Sequence, residues 1–254
     1  MPVNEPVNKS QIEPLLAIMR QLRDPETGCE WDKDQTFETI APYTIEEAYE
    51  VADAIQRQDI DALKDELGDL LLQVVFHSQI ADDHGYFSFS DVVDGICDKM
   101  IRRHPHIFGE EKHSPGWEQI KAKERAETGK SSALDGVALA LPALLRAQKI
   151  QKRAARVGFD WPDKAPVKAK LLEELEEVEQ AETREHIHEE IGDLLFSAVN
   201  LSRHYGVDAE QALADATRKF TNRFNKVERT ATSDMQEMTL DELEELWQKA
   251  KVAR

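Results

Sequence analysis

The sequence predicts an all-α chain that carries two tandem copies of one helical domain. Three observations lead there. Apolar residues recur at helical spacing through most segments, and convincing polar–apolar alternation, the signature of strands, does not occur. An acid, a Gly and an Asp precede an apolar run twice, as "DELGDLLLQVVF" at 65–76 and "EEIGDLLFSAVN" at 189–200, 124 residues apart. The helices around the two copies follow the same order, which marks a repeat of whole domains rather than a short solenoid unit.

Each element has its own reason. "IEPLLAIMRQLRD" spaces its apolar residues helically and stops before Pro25. "IEEAYEVADAIQR" (45–57) does the same. The segment 60–85 is long, apolar over a wide face, and closes on Gly85, a C-terminal cap residue. "SDVVDGICDKMIRRHP" opens on a Ser or Asp cap and ends before Pro105. In the second half, residues 168–206 hold two acidic–apolar helices and close on Gly206, as the first long helix closes on Gly85. Residues 208–230 then match 90–104. The polar stretch before residue 137, with Pro115, Gly116, Gly129 and Gly136, reads as a boundary region. The expected organisation is an N-terminal domain at 1–125, a linker and basic connecting helix at 126–166, and a C-terminal domain at 167–254. From Arg146 to Arg156 the connecting helix carries five basic residues and no acid. It is either a solvated, inter-domain helix or one that faces an anion. Each domain supplies few helices and a wide apolar face, so four-helix-bundle-type cores completed by a homodimer are expected.

Composition excludes several classes. With 32 Lys and Arg against 50 Asp and Glu, the formal charge is −18, which repels nucleic acid and anionic lipid. Neither a nucleic-acid nor a membrane partner is expected. Cys29 and Cys97 form no CxxC pair, so neither a zinc site nor a disulfide framework is indicated. The N-terminus has no apolar signal core, and the longest apolar run, 137–145, is too short for a bilayer and contains Pro142. A cytoplasmic location is the expectation.

The acids carry the chemistry. The first half gives Glu46, Glu47 and Glu50, then Glu66 and Asp69; the second gives Glu173, Glu174 and Glu177, then Glu190 and Asp193. Residues three apart share a helix face, so Glu47 pairs with Glu50, Glu66 with Asp69, Glu174 with Glu177, and Glu190 with Asp193. The intervening segments are long enough to finish one helix, turn and begin an antiparallel partner. Four carboxylates then converge, and they repel unless cations neutralise them. An all-oxygen set suits Mg²⁺, with Mn²⁺ as the alternative. A lone EExxE is ordinarily a solvated face. Here the second acidic motif leads into a buried helix, and the pairing occurs twice.

The copies differ. One face of the second long helix reads His186, Glu190, Asp193, Ser197, Asn200, His204; its counterpart reads Ala62, Glu66, Asp69, Gln73, Phe76, Ile80. The polar stripe continues only in the second copy, so catalysis is expected there, with a mainly structural role for the first. Lys219 and Arg223 sit four apart on one helix, as do Lys99 and Arg103, and such a pair can clamp phosphate oxygens. They also read as surface cations. Trp247 reads as a core residue or a base-stacking one. No Gly-rich phosphate loop is present.

These acid pairs resemble the MazG family of nucleoside triphosphate pyrophosphohydrolases. "WDKDQTFETIAPYTIEEAYEVADAI" and "ALPALLRAQKIQKRAARVGFDWP" are similar to its tandem members over nearly the whole chain. Two departures are Glu30 before Trp31 and His186, where the resemblance leads to Pro and Lys. The resemblance implies two MazG-like helical domains, usually in a dimer, that cleave a nucleoside triphosphate to monophosphate and pyrophosphate with Mg²⁺. It implies Glu174, Glu177, Glu190 and Asp193 as metal ligands and, with Glu173, as the catalytic set; Glu47, Glu50, Glu66 and Asp69 are the weaker first-copy set. Around the nucleotide it implies Lys170, Leu171, Leu172, Glu173, Glu174, His186, Ile187, His188, Glu189, Asn200, Lys219, Arg223 and Trp247. Glu173 would orient or deprotonate the attacking water. The residues leave open a related all-α pyrophosphohydrolase, of dimeric dUTPase or phosphoribosyl-ATP type. They also leave open a non-catalytic helical dimer that binds a regulatory cation or partner.

Overall fold

The computed structural model describes residues 11–109, Ile120 and 132–252, and among these it contains eleven helices and no strand. The chain divides into two compact units, Met1–Ala122 and Lys123–Arg254. The first holds α1 (Glu13–Leu22), α2 (Glu30–Asp34), α3 (Phe37–Arg57), α4 (Ile60–Asp83), α5 (Phe89–Arg103) and α6 (Pro105–Phe108). The second holds α7 (Ala143–Arg156), α8 (Lys164–Gln180), α9 (Arg184–His204), α10 (Ala209–Thr230) and α11 (Leu240–Val252).

In each unit the centre is a helical hairpin, α3 with α4 and α8 with α9. α3 begins eight residues before the apolar spacing suggests, because Thr36 and Thr39 cap it reciprocally: the Thr39 hydroxyl accepts from Thr36 N at 2.8 Å, and the Thr36 hydroxyl from Thr39 N at 3.4 Å. Pro42 lies inside this helix and removes only one backbone hydrogen bond. The hairpin turns over Gln58, whose φ of 58° is left-handed, and Asp59 caps α4 by accepting from Ala62 N at 3.0 Å. In the second unit Thr183 caps α9 by accepting from His186 N at 3.2 Å.

The long helices end alike. Gly85 (φ 70°) and Gly206 (φ 71°) take the left-handed conformation that side chains disfavour. Tyr86 N and Val207 N then donate back to Ala81 O and Ser202 O, at 2.9 Å each. Next, α5 starts from a Ser88–Asp91 capping box, whose N-cap Ser88 lies two residues before Ser90, and α10 starts from Asp208, which accepts from Gln211 N at 3.0 Å.

The first core gathers Met19, Ile40, Val75, Phe76 and Ile80. The buried Arg23 side chain ties its periphery together, donating to Asp83 at 2.7 Å and to the Asp32 carbonyl at 2.6 Å. In the second unit the basic helix α7 packs on α9 and α10. Gln148 donates to Val207 O at 3.0 Å and accepts from Ala209 N at 3.1 Å, so it grips the turn between them. The helix expected to connect the domains is thus a packed element of the second unit. Glycines and a proline placed in the boundary region at 115–129 lie outside the described residues. No helix among the described residues is long and apolar enough to cross a membrane.

Candidate metal and nucleotide site

The α8–α9 hairpin places the second acidic set on facing helices. Carboxylate oxygens of Glu174, Glu177 and Glu190 lie within 4.8 Å of one another. Glu174 is buried, at 5% exposure, and an ionised carboxylate that deep needs a partner. Lys170, one turn earlier, provides it: its Nζ lies 2.9 Å from Glu174 Oε1 and 2.7 Å from Glu173 Oε1. Those bonds, Glu173 first, raise the Lys170 pKa and hold it charged. His186 Nε2 lies 2.9 Å from Glu190 Oε1. Burial pushes the Glu177 carboxyl above its usual range; Lys170 opposes the shift, and Glu174 and Glu190 add to it. One ammonium therefore serves a cluster of at least three acids. The oxygens are hard donors with no Cys or His among them, the set that suits Mg²⁺ or Mn²⁺.

Asp193 lies outside this trio and is exposed. Its position shares a face with Glu190, but helical spacing fixes the face and not where a carboxylate oxygen comes to rest. Glu173, Leu172, Ile187, His188 and Glu189 are exposed, and Leu171 is half-buried. Lys219 is exposed and Arg223 half-buried on α10, and neither makes an ion pair among the described residues. Trp247 packs against Phe220 with ring centroids 5.1 Å apart, which fastens α11 to α10.

The first copy gathers Glu47, Glu66 and Asp69 in the same way, with Glu50 outside the trio. Desolvation, then Asp69, Glu50 and Glu66, raise the Glu47 pKa. Tyr43 stands where Lys170 stands in the second copy and packs edge-on to Trp31, with ring centroids 6.3 Å apart. Beyond Asp69 the helix enters the core: Gln73, Phe76 and Ile80 are buried. In the second copy Ser197 and Asn200 are buried but remain polar. Asn200 Oδ1 accepts from Arg203 Nε at 3.0 Å, and Arg203 in turn grips Asp160 with both terminal nitrogens. The Arg203 hydrogen bonds, helped by His204, hold the Asp160 carboxyl down at about 2. The upper stripe thus anchors the 158–161 turn against α9. Sequence reasoning missed Gln148, Gln151 and Asp160, whose partners lie 43 to 61 residues away.

The model of the MazG nucleotide pyrophosphohydrolase domain matches twice, over residues 35–108 and 164–228. The chain belongs to the MazG family. A nucleoside triphosphate pyrophosphohydrolase of Escherichia coli K12 is 52% identical over 95% of this chain and 97% of its own length. A nucleoside triphosphate pyrophosphohydrolase/pyrophosphatase MazG of Thermotoga maritima is 49% identical over 94% of this chain and 95% of its own. A Bacillus subtilis protein, YabN, is 44% identical over 92% of this chain but only half of its own length. Each MazG segment contains one acidic hairpin and all or nearly all of the helix after it. The basic helix α7 lies outside both.

Proposed function

We propose that the chain hydrolyses nucleoside triphosphates to nucleoside monophosphate and pyrophosphate at the second carboxylate cluster, in the service of cytoplasmic nucleotide-pool control. The observation that carries the reading is the convergence of Glu177 and Glu190 on the buried Glu174, with a single nearby ammonium. It is joined by the names of the Escherichia coli and Thermotoga maritima relatives. Glu174, Glu177 and Glu190 would hold Mg²⁺ or Mn²⁺, with Asp193 one helical turn from Glu190. Such a cation, when bound, neutralises charge on phosphate oxygens and acidifies a coordinated water.

The chain's own residues supply the rest. Glu173 accepts the proton of the attacking water as its oxygen bonds to phosphorus and the bridging P–O bond breaks. Lys170 keeps Glu173 and Glu174 in place. Lys219 and Arg223, four apart on α10, offset the charge that develops on the departing pyrophosphate.

The test is product analysis over a panel of ribo- and deoxyribonucleoside triphosphates and phosphoribosyl-ATP, with Mg²⁺, with Mn²⁺ and with excess chelator. Equimolar monophosphate and pyrophosphate are expected, with activity lost in chelator. Diphosphate and orthophosphate as main products contradict the reading. Turnover confined to dUTP or to phosphoribosyl-ATP assigns the chain to one of the related activities instead.

The same reading includes a homodimer. Leu67, Leu71 and Val74 on α4 and Ile191, Leu195 and Phe196 on α9 are exposed apolar residues at helical spacing. Light scattering at micromolar concentration should give twice the chain mass of 28.9 kDa; a monomer contradicts it.

A further inference from the structure

We propose that Gln148 of α7 is a positioning residue for the reaction: it holds α10 at the angle on which the placement of Lys219 and Arg223 depends. The inference rests on the role given to that pair above and adds the element that sets their position.

A helix that merely covers a core buries an apolar stripe. The buried residues of α7 are two glutamines, Gln148 at 3% exposure and Gln151 at 7%. Both bond to backbone groups on or beside the α9–α10 turn. Gln151 Nε2 donates to Phe196 O of α9 at 2.9 Å. Gln148 Nε2 donates to Val207 O in the turn at 3.0 Å, and Gln148 Oε1 accepts from Ala209 N at 3.1 Å. Ala209 is the first residue of α10, so its N–H has no partner within the helix and takes one from α7 instead. The next residue of α10 returns the contact: Glu210 Oε2 accepts from Leu145 N, in the first turn of α7, at 3.2 Å. With both ends of its amide engaged, Gln148 fixes the direction in which α10 leaves the turn as well as its starting point.

Few other contacts within the unit hold α10. It meets α9 sparsely and packs on α7 and on α11, the helix that follows it. Lys219 and Arg223 lie ten and fourteen residues beyond Ala209, about 15 and 21 Å along the axis. On a lever of that length a tilt of about 10° moves the Arg223 position by about 4 Å. A misplacement of about 1 Å in an active site can cost about a hundredfold in rate.

The first unit is built differently. There α1 packs on α4 as α7 packs on α9, but with the apolar Leu15, Leu16 and Met19. A hydrogen-bonded clasp in the second unit alone suits a helix whose direction matters to the chemistry.

The experiment is a double-mutant cycle on kcat for pyrophosphate release, with every variant assayed well below its melting temperature. Gln148→Met keeps an unbranched side chain of similar size and removes both hydrogen bonds. In the wild-type background it should lower kcat about tenfold or more. In a Lys219→Ala/Arg223→Ala background it should lower kcat less than about twofold further, because the groups it positions are gone. Glu210→Ala releases the same clasp from the α10 side. It should show a smaller loss with the same non-additivity, and it decides the question if Gln148→Met does not fold. Glu210→Gln retains an acceptor oxygen and should restore the rate. Losses that multiply independently in the two backgrounds mark a merely structural role and overturn the inference, as does wild-type kcat in both folded clasp variants. Wild-type kcat in the Lys219→Ala/Arg223→Ala protein overturns it as well. Each of these results leaves the proposed reaction standing. A wild-type protein that releases no pyrophosphate from any triphosphate overturns the proposed reaction and this inference together.

Discussion

Glu190→Gln should lower the turnover number for pyrophosphate release by about a hundredfold or more, the scale seen when a preorganised electrostatic group is removed from an active site. The Glu190 carboxylate lies within 4.8 Å of Glu174 and Glu177, and its side chain is 12% exposed. Gln keeps the shape and one carbonyl oxygen but removes a full charge from the set that would bind a hard cation. The effect should fall on kcat at saturating Mg²⁺, and helical circular dichroism should be unchanged because Gln is as good a helix former as Glu. Activity within a few-fold of wild type would remove Glu190 from the site.

Lys170→Met should destabilise the second unit by about 2 kcal/mol in chelator, and Mg²⁺ should recover most of that loss. The Lys170 ammonium is the cation within 2.9 Å of the buried Glu174, and without it Glu174 faces Glu177 and Glu190 uncompensated. Leaving a buried charge unpaired costs several kcal/mol when both partners are enclosed. The Lys170 side chain is 36% exposed, so solvent screening reduces the figure. Met preserves the apolar stem, which confines the change to charge. A divalent cation bound to the carboxylates replaces the missing positive charge. Urea unfolding in chelator and in Mg²⁺ measures both arms, and an equal loss in the two conditions refutes the electrostatic explanation.

The parts of the fold set by local chemistry were legible in the sequence. Gly85 and Gly206 end their helices because the left-handed conformation needed there favours Gly, and both sites read directly from the chain. Three-residue spacing also made the shared faces of the acids legible, and six of the eight come together in two trios, with Glu50 and Asp193 outside. The early start of α3 was hidden by Pro42, which ordinarily argues against a helix interior; the Thr36–Thr39 box upstream outweighs it. The role of α7 was hidden for a different reason. Its basic residues suggest a solvated or anion-facing helix, whereas Gln148 and Gln151 are buried by partners 45 to 61 residues away. No local pattern encodes such contacts. The exposed Asp193 marks the same boundary at the site: the spacing puts it on the face of Glu190, yet its carboxylate lies outside the trio.

The most direct test of the division of labour between the copies is the turnover number for pyrophosphate release in Asp69→Asn beside Glu190→Gln, each checked for folding. The first-copy stripe runs into buried Phe76 and Ile80, and Tyr43 stands in place of Lys170. Asp69→Asn should therefore keep most of the wild-type turnover while Glu190→Gln loses about a hundredfold. A folded Asp69→Asn protein that is inactive, beside a folded Glu190→Gln protein that is active, would place the chemistry in the first copy and contradict the assignment.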